Sequence, residues 1–365
     1  MKFKVNKDAI LESLQKVQSI VSTRTTLPIL SNILFNAEKE KLWITATDLE
    51  VSVRTGVAAE VVKTGATTIP ARKAFSIFRE LPASEIELET DDKDITTIRC
   101  GASFFKINGI SEDEFPPLPK FEGGKNYTLD QGTFKEMLRN TNYATSKDET
   151  RYVLNGVLLS FKGDKLAVVA TDGRRMALYE QEIEFPKGSE ADFILPFKTV
   201  DELLKTLHDE GSLKIQGTEN QIAFEFDDMS IVSKLVEGTY PNFRQVIPAQ
   251  SEERLTIERE SLLTAVRRVA ILASEKTNSV KLTFAKNKIE VSVITPEIGE
   301  ARETMPVNYA GKQITVAFNP EFLMDPLRTL TGDEVYLEIT DDLSPGVIKS
   351  NIPFLYVLMP MRISG

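Results

Sequence analysis

Lys2-Phe3-Lys4-Val5, then Asn6, then a patterned run from Lys7 to Val21, reads as a short strand turning directly into a helix. The same order returns at Tyr127-Thr128-Leu129, then Asp130, with a run to Thr145. It returns again at Leu255-Thr256-Ile257, then Glu258, with a run to Ala273. Counting from Val5, Leu129 and Ile257, the fifth residue on is Ile10, Phe134 and Leu262, and the ninth is Leu14, Leu138 and Val266. Apolar residues four apart make one buried stripe on a helix, so all three runs predict helices packed by the same face. Asn6 and Asp130 are good acceptors for the free amides of a first helical turn; Glu258 is a poorer cap by type.

Each helix leads to a pair of strands. Residues 30–35 and 154–159 lie 124 positions apart, and 279–284 is the third copy. Polar turns then lead into Lys41-Leu42-Trp43-Ile44, Lys165-Leu166-Ala167-Val168 and Lys288-Ile289-Glu290-Val291. A second helix opens after Pro70, after Pro196 and at Asn319-Pro320, where the missing proline N–H would be unpaired anyway. Pro326 falls inside the third of these helices and predicts a bend or an end. Alternating strands follow, such as 85–88, 222–226 and 335–338. Each repeat so offers two helices and roughly eight short strands, an α+β arrangement of antiparallel sheet with the helices on one side. Turn-rich polar stretches at Glu122-Gly123-Gly124-Lys125 and Pro248-Ala249-Gln250-Ser251 divide the chain into domains 1–124, 125–250 and 251–365. Each is long enough to carry its own core.

Composition narrows the function classes. The 365 residues carry a net charge of -10 with 41% hydrophobic and 27% charged residues, an ordinary balance for a folded chain. No apolar run reaches the roughly 18 residues that span a membrane, and the start lacks the apolar core of a secretory signal, so a cytoplasmic location is expected. Cys100 is the only cysteine and His208 the only histidine, which excludes an intrachain disulfide and multi-cysteine or multi-histidine metal sites. His208 reads as a solvated residue facing a helix end. The sequence holds no Gly-x-Ser-x-Gly elbow, phosphate loop or dinucleotide turn. Asp48 and Asp172 end strands at equivalent places in different repeats, so no spacing pairs them as acid and base. They read as turn-capping residues. No catalytic residue, metal or cofactor is expected.

Six stretches carry a resemblance: Thr25-Thr26-Leu27-Pro28-Ile29-Leu30, Ala46-Thr47-Asp48, Glu149-Thr150-Arg151-Tyr152-Val153-Leu154-Asn155-Gly156, Ala170-Thr171-Asp172-Gly173-Arg174-Arg175-Met176-Ala177, Lys234-Leu235-Val236-Glu237-Gly238-Thr239-Tyr240-Pro241 and Leu358-Met359-Pro360-Met361-Arg362. In this order, on a threefold repeat, the chain resembles the bacterial DNA polymerase III beta subunit, or sliding clamp, along its whole length. The resemblance implies the DNA clamp fold in a head-to-tail homodimeric ring, with helices lining the hole and double-stranded DNA passing through it without sequence preference. It implies a processivity factor rather than an enzyme. Its partners would be the DNA polymerase III alpha subunit, the clamp loader, other polymerases and repair proteins, at the nucleoid. A head-to-tail interface makes a ring when its rotation closes, and a ring holding DNA by topology needs no recognition helix. The residues alone leave open a three-domain scaffold that never encloses nucleic acid.

The acidic total runs against DNA, but the charge separates. Helices predicted at 7–21, 72–80, 131–145, 198–208, 258–273 and 319–330 carry 0, +2, +1, 0, +1 and -1, together +3, against -13 for the remainder. A weakly positive bore suits sliding, because strong phosphate pairing binds tightly. The resemblance carries over four DNA contacts: Arg24 after the first helix, Lys73 and Lys198 at the openings of second helices, and Tyr152. The cations would neutralise phosphate and the tyrosine would lie against sugar or an unpaired base. Val153, where a compared relative has a second aromatic, and Asp148, where it has an amide, depart from the pattern.

The resemblance also implies a partner-peptide groove where the middle and last domains meet. Leu154, Thr171, Gly173, Arg175 and Met176 would form one side, Pro241 and Val246 another. Val357, Met359, Pro360, Met361 and Arg362 would complete it, flanked by Asn319 and Phe322. Methionines adapt to guests of different shape, and Arg175 and Arg362 would orient an acidic or amide-bearing peptide. Read without the resemblance, Met359 and Met361 are core residues of a final strand. Gly346 replaces a hydroxyl residue of some relatives. For the ring joint, Phe105 and Ile107 alternate on one face of an outer strand, and Ile271-Leu272 end the first helix of the last domain; these are expected to meet across subunits. Glu297, Glu300 and Glu303 lie nearby, but Ala102 and Phe104 stand where some relatives have basic residues, so apolar contact is expected to dominate.

Overall fold

The computed structural model describes residues 1–21, 26–82, 84–118, 124–248, 254–274 and 278–362; Arg24 and parts of both inter-domain stretches lie outside them. The first repeat holds β1 (Lys2–Asn6), α1 (Lys7–Gln18), β2 (Asn32–Glu38), β3 (Lys41–Thr47), β4 (Val51–Ala58), β5 (Glu60–Lys63), β6 (Gly65–Pro70), α2 (Ala71–Glu80), β7 (Glu85–Thr90), β8 (Ile95–Cys100) and β9 (Ser103–Asn108). The second holds β10 (Lys125–Asp130), α3 (Gln131–Arg139), β11 (Gly156–Lys162), β12 (Lys165–Thr171), β13 (Arg175–Glu182), β14 (Ala191–Pro196), α4 (Phe197–Thr206), β15 (Ser212–Gly217), β16 (Gln221–Phe226) and β17 (Met229–Lys234). The third holds β18 (Arg254–Glu258), α5 (Arg259–Val269), β19 (Val280–Ala285), β20 (Lys288–Thr295), β21 (Gly299–Pro306), β22 (Ile314–Phe318), α6 (Pro320–Thr329), β23 (Glu334–Glu338), β24 (Gly346–Lys349) and β25 (Phe354–Leu358).

The chain packs as two compact units, and the middle repeat is divided between them. One unit, Met1–Lys135 with Lys198–Leu235, contains the sheet β5-β1-β7-β8-β9 and the eight-stranded sheet β10-β15-β16-β17-β4-β3-β2-β6. The other, Glu136–Phe197 with Val236–Gly365, contains the eight-stranded sheet β14-β11-β12-β13-β25-β24-β23-β18 and the sheet β21-β20-β19-β22. Each eight-stranded sheet is built by two successive repeats. In one, β17 pairs antiparallel with β4, from Met229 opposite Thr55 to Ser233 opposite Val51. In the other, β25 pairs antiparallel with β13, from Phe354 opposite Tyr179 to Leu358 opposite Arg175.

The repeated helices follow the expected physics, with shorter ends. Asn6 accepts from the amides of Asp8 and Ala9 at 2.9 and 3.2 Å, and α1 buries Ile10, Leu14 and Val17. Asp130 accepts from Thr133 N at 2.9 Å. Glu258 proves a working cap: its two carboxylate oxygens accept from Glu260 N and Ser261 N, at 3.2 and 2.6 Å. A carboxylate also suits the positive end of a helix. The expected helix to Thr145 stops at Arg139, where the Asn140 amide and Thr141 hydroxyl turn back onto the carbonyls of Glu136 and Met137. The strands expected from Leu30 and Leu154 begin two residues later, at Asn32 and Gly156, because the leucines belong to tight 3-10 turns.

Pro326 neither ends nor breaks α6, which runs through it to Thr329. Proline leaves the carbonyl four residues back without its amide partner. That carbonyl belongs to Phe322, and the buried Tyr356 hydroxyl donates to it at 2.8 Å. Tyr356→Phe should therefore lower stability by about 1–3 kcal/mol by leaving a buried acceptor unpaired. Thermal or urea unfolding measures this, and the cost should shrink in a Pro326→Ala background, where the helix restores the amide. An equal cost in both backgrounds would refute the pairing.

Sheet burial also departs from simple alternation. β11, β12 and β13 are buried along almost their whole length, because Val236, Tyr240, Phe243 and Ile247 lie across their outer face with Leu158, Ala167 and Leu178. A strand covered on both faces is apolar nearly throughout, as Val157-Leu158-Leu159 and Leu166-Ala167-Val168-Val169 are.

Candidate functional site

The residues expected to meet partner peptides all belong to the second unit. Pairing of β13 with β25 sets Arg175 opposite Leu358 and Met176 opposite Val357. Beyond β25, Met359 N donates to Arg174 O at 2.9 Å and Met361 N to Ala317 O at 2.8 Å. The terminal stretch is thereby tied both to the turn after β12 and to β22. Leu154 packs on the cluster holding Met176, Tyr240 and Val357. Met176 and Val357 are themselves buried, so they form a floor; Pro241, Val246, Met359 and Arg362 are exposed above it. Met359, 44% exposed, is not a core residue of the strand. Pro360 and Met361 are half-buried.

The turn between β12 and β13 is fixed from within. Asp172 Oδ1 accepts from Arg174 N and Arg175 N, at 2.9 and 3.0 Å, and Thr171 Oγ1 accepts from Gly173 N at 3.1 Å while donating to Arg175 O at 2.6 Å. Gly173 has φ 84°, a left-handed position, and a Cβ there would lie 2.9 Å from the Arg151 guanidinium.

Arg175, expected to orient a guest, is held by partners within the chain. Its side chain is only 9% exposed and its donors are engaged inside the chain. Nε meets Asp172 Oδ2 at 3.1 Å, Nη1 pairs with Asp325, and Nη2 donates to the Tyr143 carbonyl at 2.6 Å. The guanidinium also lies 4.1 Å from the centre of the Phe322 ring. A buried arginine paired in this way braces β13 against α6. Asn319 caps α6, accepting from Glu321 N and Phe322 N at 2.9 and 3.3 Å. Gly346 is a packing residue: a Cβ there would stand 2.9 Å from Ile339 Cδ1 and 3.0 Å from Phe318 Cζ. Asp325, Tyr143 and Tyr240 were not legible as site residues, since the first two reach Arg175 and the third reaches Met176 only through the tertiary fold.

Among the residues expected to touch DNA, Lys73 is exposed in the first turn of α2 and Lys198 is the second residue of α4. The Lys198 ammonium pairs with Asp48. Both lysines belong to the first unit; Tyr152, 59% exposed, belongs to the second. The two departures in this loop have partners within the chain. Asp148 accepts from Thr150 N and Thr150 Oγ1 at 3.0 and 2.7 Å, contacts that hold its carboxyl below the usual range, and Val153 packs against the Tyr240 cluster. With the observed bounds Glu258 falls outside α5, and the six helices carry a net +4 (0, +2, +1, 0, +2 and -1). His208 is exposed beyond α4, with Asp227 at 3.8 Å.

The residues expected at a joint between subunits lie at two uncovered strand edges. In β9, which among the described residues pairs with β8 alone, Phe105 is exposed and Ile107 half-buried. Ile271, 76% exposed, and Leu272 sit in a 3-10 turn following α5 rather than in the helix, beside β20 and β21. Glu303 is already paired with Arg268, and Glu300 with Arg302. No group of three or more histidine, cysteine or acidic side chains that would hold a metal occurs among the described residues, and none of their helices is long and apolar enough to cross a membrane.

Models of the DNA polymerase III beta subunit match three successive segments: the N-terminal domain at residues 1–119, the central domain at 128–242 and the C-terminal domain at 244–362. The beta sliding clamp of Chlamydia muridarum is 35% identical, covering 100% of this chain and 99% of the relative, and that of Escherichia coli K12 is 34% identical with 100% of both covered. Among solved structures, the sliding clamp of Pseudomonas aeruginosa bound to griselimycin superposes with a TM-score of 0.96 at 31% identity. That of Bartonella birtlesii bound to griselimycin superposes with 0.94 at 33%; both comparisons cover the whole of each chain.

Proposed function

The chain belongs to the DNA polymerase III beta-subunit family and is a DNA sliding clamp, a processivity factor rather than an enzyme; from this premise we propose that two copies close head to tail into a ring around duplex DNA. One observation carries the closure. The last strand of the middle repeat joins the first repeat, and the last strand of the third repeat joins the middle one. Among the described residues, β9, the last strand of the first repeat, and β21, the third-repeat counterpart of β4 and β13, remain without such a partner. Pairing β9 of one subunit with β21 of the next repeats the internal joint and blunts two edges that would otherwise invite aggregation. The hairpin registers of β8–β9 and β20–β21 match those of β16–β17 and β3–β4 after allowing for the turns. The internal register therefore sets Phe105 opposite the partner subunit's Ala301 and Ile107 opposite the partner subunit's Gly299.

The three clamp domains are placed at 1–124, 125–250 and 251–365. The DNA contacts are Arg24, Lys73, Tyr152 and Lys198, and the protein works on chromosomal DNA in the cytoplasm. The DNA polymerase III alpha subunit, the clamp loader, other polymerases and repair proteins share one groove floored by Met176 and Val357 and topped by Met359. The moderate positive charge of the helices supports weak, sequence-independent contact. Lys73→Ala and Lys198→Ala should each weaken binding to any duplex alike, Lys73→Ala reducing the salt slope by about 0.9, read by fluorescence anisotropy across a salt series. A preference for one sequence at fixed salt would contradict the reading.

A further inference from the structure

We propose that Asp48 is a positioning residue for the DNA contact at Lys198, holding the ammonium with a carboxylate that phosphate must displace. The inference rests on the reading that Lys198 meets DNA. The two partners are unequal. Lys198 has 45% of its side chain exposed, at the opening of α4, whereas Asp48 is 14% exposed and anchored in the turn between β3 and β4. That turn is fixed several times over: Asp48 N donates to Val51 O at 3.2 Å, the Thr47 hydroxyl to Val51 O at 3.2 Å, and Lys234 N to Glu50 O at 2.9 Å.

The carboxylate divides its work. Oδ1 accepts from Glu50 N and Val51 N, at 3.0 and 2.8 Å, and closes the turn; Oδ2 takes Lys198. An asparagine would serve the turn equally, so the charge is required only by the lysine. Burial pushes the Asp48 carboxyl up, but Lys198 and the two amides outweigh it and hold the group below its usual range. The partner is therefore anionic at neutral pH.

Comparison of the repeats isolates the feature. Asp172 also gives one oxygen to its turn and the other to a cation, but that cation is Arg175, buried and locked by Asp325. The third repeat has Pro296 after β20. Only the first repeat aims its aspartate at an exposed cation. An ion pair with a half-exposed member is weak enough to exchange for phosphate. Each contact then ends by return of the ammonium to Asp48 rather than to water, which favours movement over holding.

The test is Asp48→Asn in the full-length dimer, measured by fluorescence anisotropy on a short linear duplex across a salt series. The variant should bind about two- to fivefold tighter at low salt, with a slope steeper by up to about 0.9, and the gain should vanish in a Lys198→Ala background. Asp48→Ser, which keeps a turn acceptor, should behave alike, with sedimentation checking the dimer. Unchanged or weaker binding by both variants, while Lys198→Ala weakens binding, would overturn the role of Asp48 alone; so would a gain that survives without Lys198. A Lys198→Ala clamp with unaltered affinity would instead remove the DNA contact itself, and the proposal with it.

Discussion

Replacing Ile271 and Leu272 together by alanine should convert the dimeric ring into monomers. Ile271 is the most exposed isoleucine among the described residues, and with Leu272 it stands beside the edge formed by β21. Fully burying one such side chain contributes about 1.5–3 kcal/mol. Losing both therefore removes about 4 kcal/mol from a joint, roughly a thousandfold in its dissociation constant. A ring of two subunits contains this joint twice, so the loss acts at both places. Charge offers little compensation, because Glu300 and Glu303 already have partners within their own chain. Sedimentation at micromolar concentration, with an unfolding curve to show intact domains, measures the outcome. A dimer unshifted by the double substitution would place the joint elsewhere.

Ending the chain at Leu358 should abolish partner-peptide binding while leaving the dimer. The cut falls immediately after β25, whose pairing with β13 and β24 is retained. What is lost is the stretch tied down by Arg174 O and Ala317 O, with the exposed Met359. A short peptide held near micromolar affinity has about -8 kcal/mol in total, so deleting one wall of its groove leaves too little to detect. Met359→Lys, which keeps the chain length, should weaken the same peptide at least tenfold, since an apolar guest would face an ammonium. Fluorescence anisotropy with a peptide bearing leucine and phenylalanine anchors reads both variants. Unchanged affinity in a folded, truncated dimer would move the partner site to another face. Two grooves per ring would also raise the avidity of linked partners.

The parts of this fold that follow local rules were legible in the sequence. Ile10, Phe134 and Leu262 announced the first helix of each repeat because a helix returns to the same face every four residues, and Asn6 announced its start. Asp48 and Asp172 were legible as turn residues for the same local reason. What the second carboxylate oxygen of Asp48 does was not, since Lys198 lies 150 positions away and leaves no periodic trace; the same separation hides Asp325, which holds Arg175. Arg175 illustrates the cost of reading a residue by type: an arginine in a peptide-binding motif suggests a free guanidinium, but two carboxylates and a carbonyl engage it. Pro326 was read by its local effect alone, whereas Tyr356, on a strand 30 positions away, supplies the missing donor.

Retention on DNA of different topology tests the ring most directly. Loaded onto nicked circular duplex and passed through a sizing column at moderate salt, the protein should remain with the circle. It should leave within the same run once a restriction enzyme linearises the DNA. Weak contacts of the kind proposed for Lys73 and Lys198 would not hold it by affinity, so persistence on the circle requires closure. Equal escape from circular and linear DNA would contradict the account.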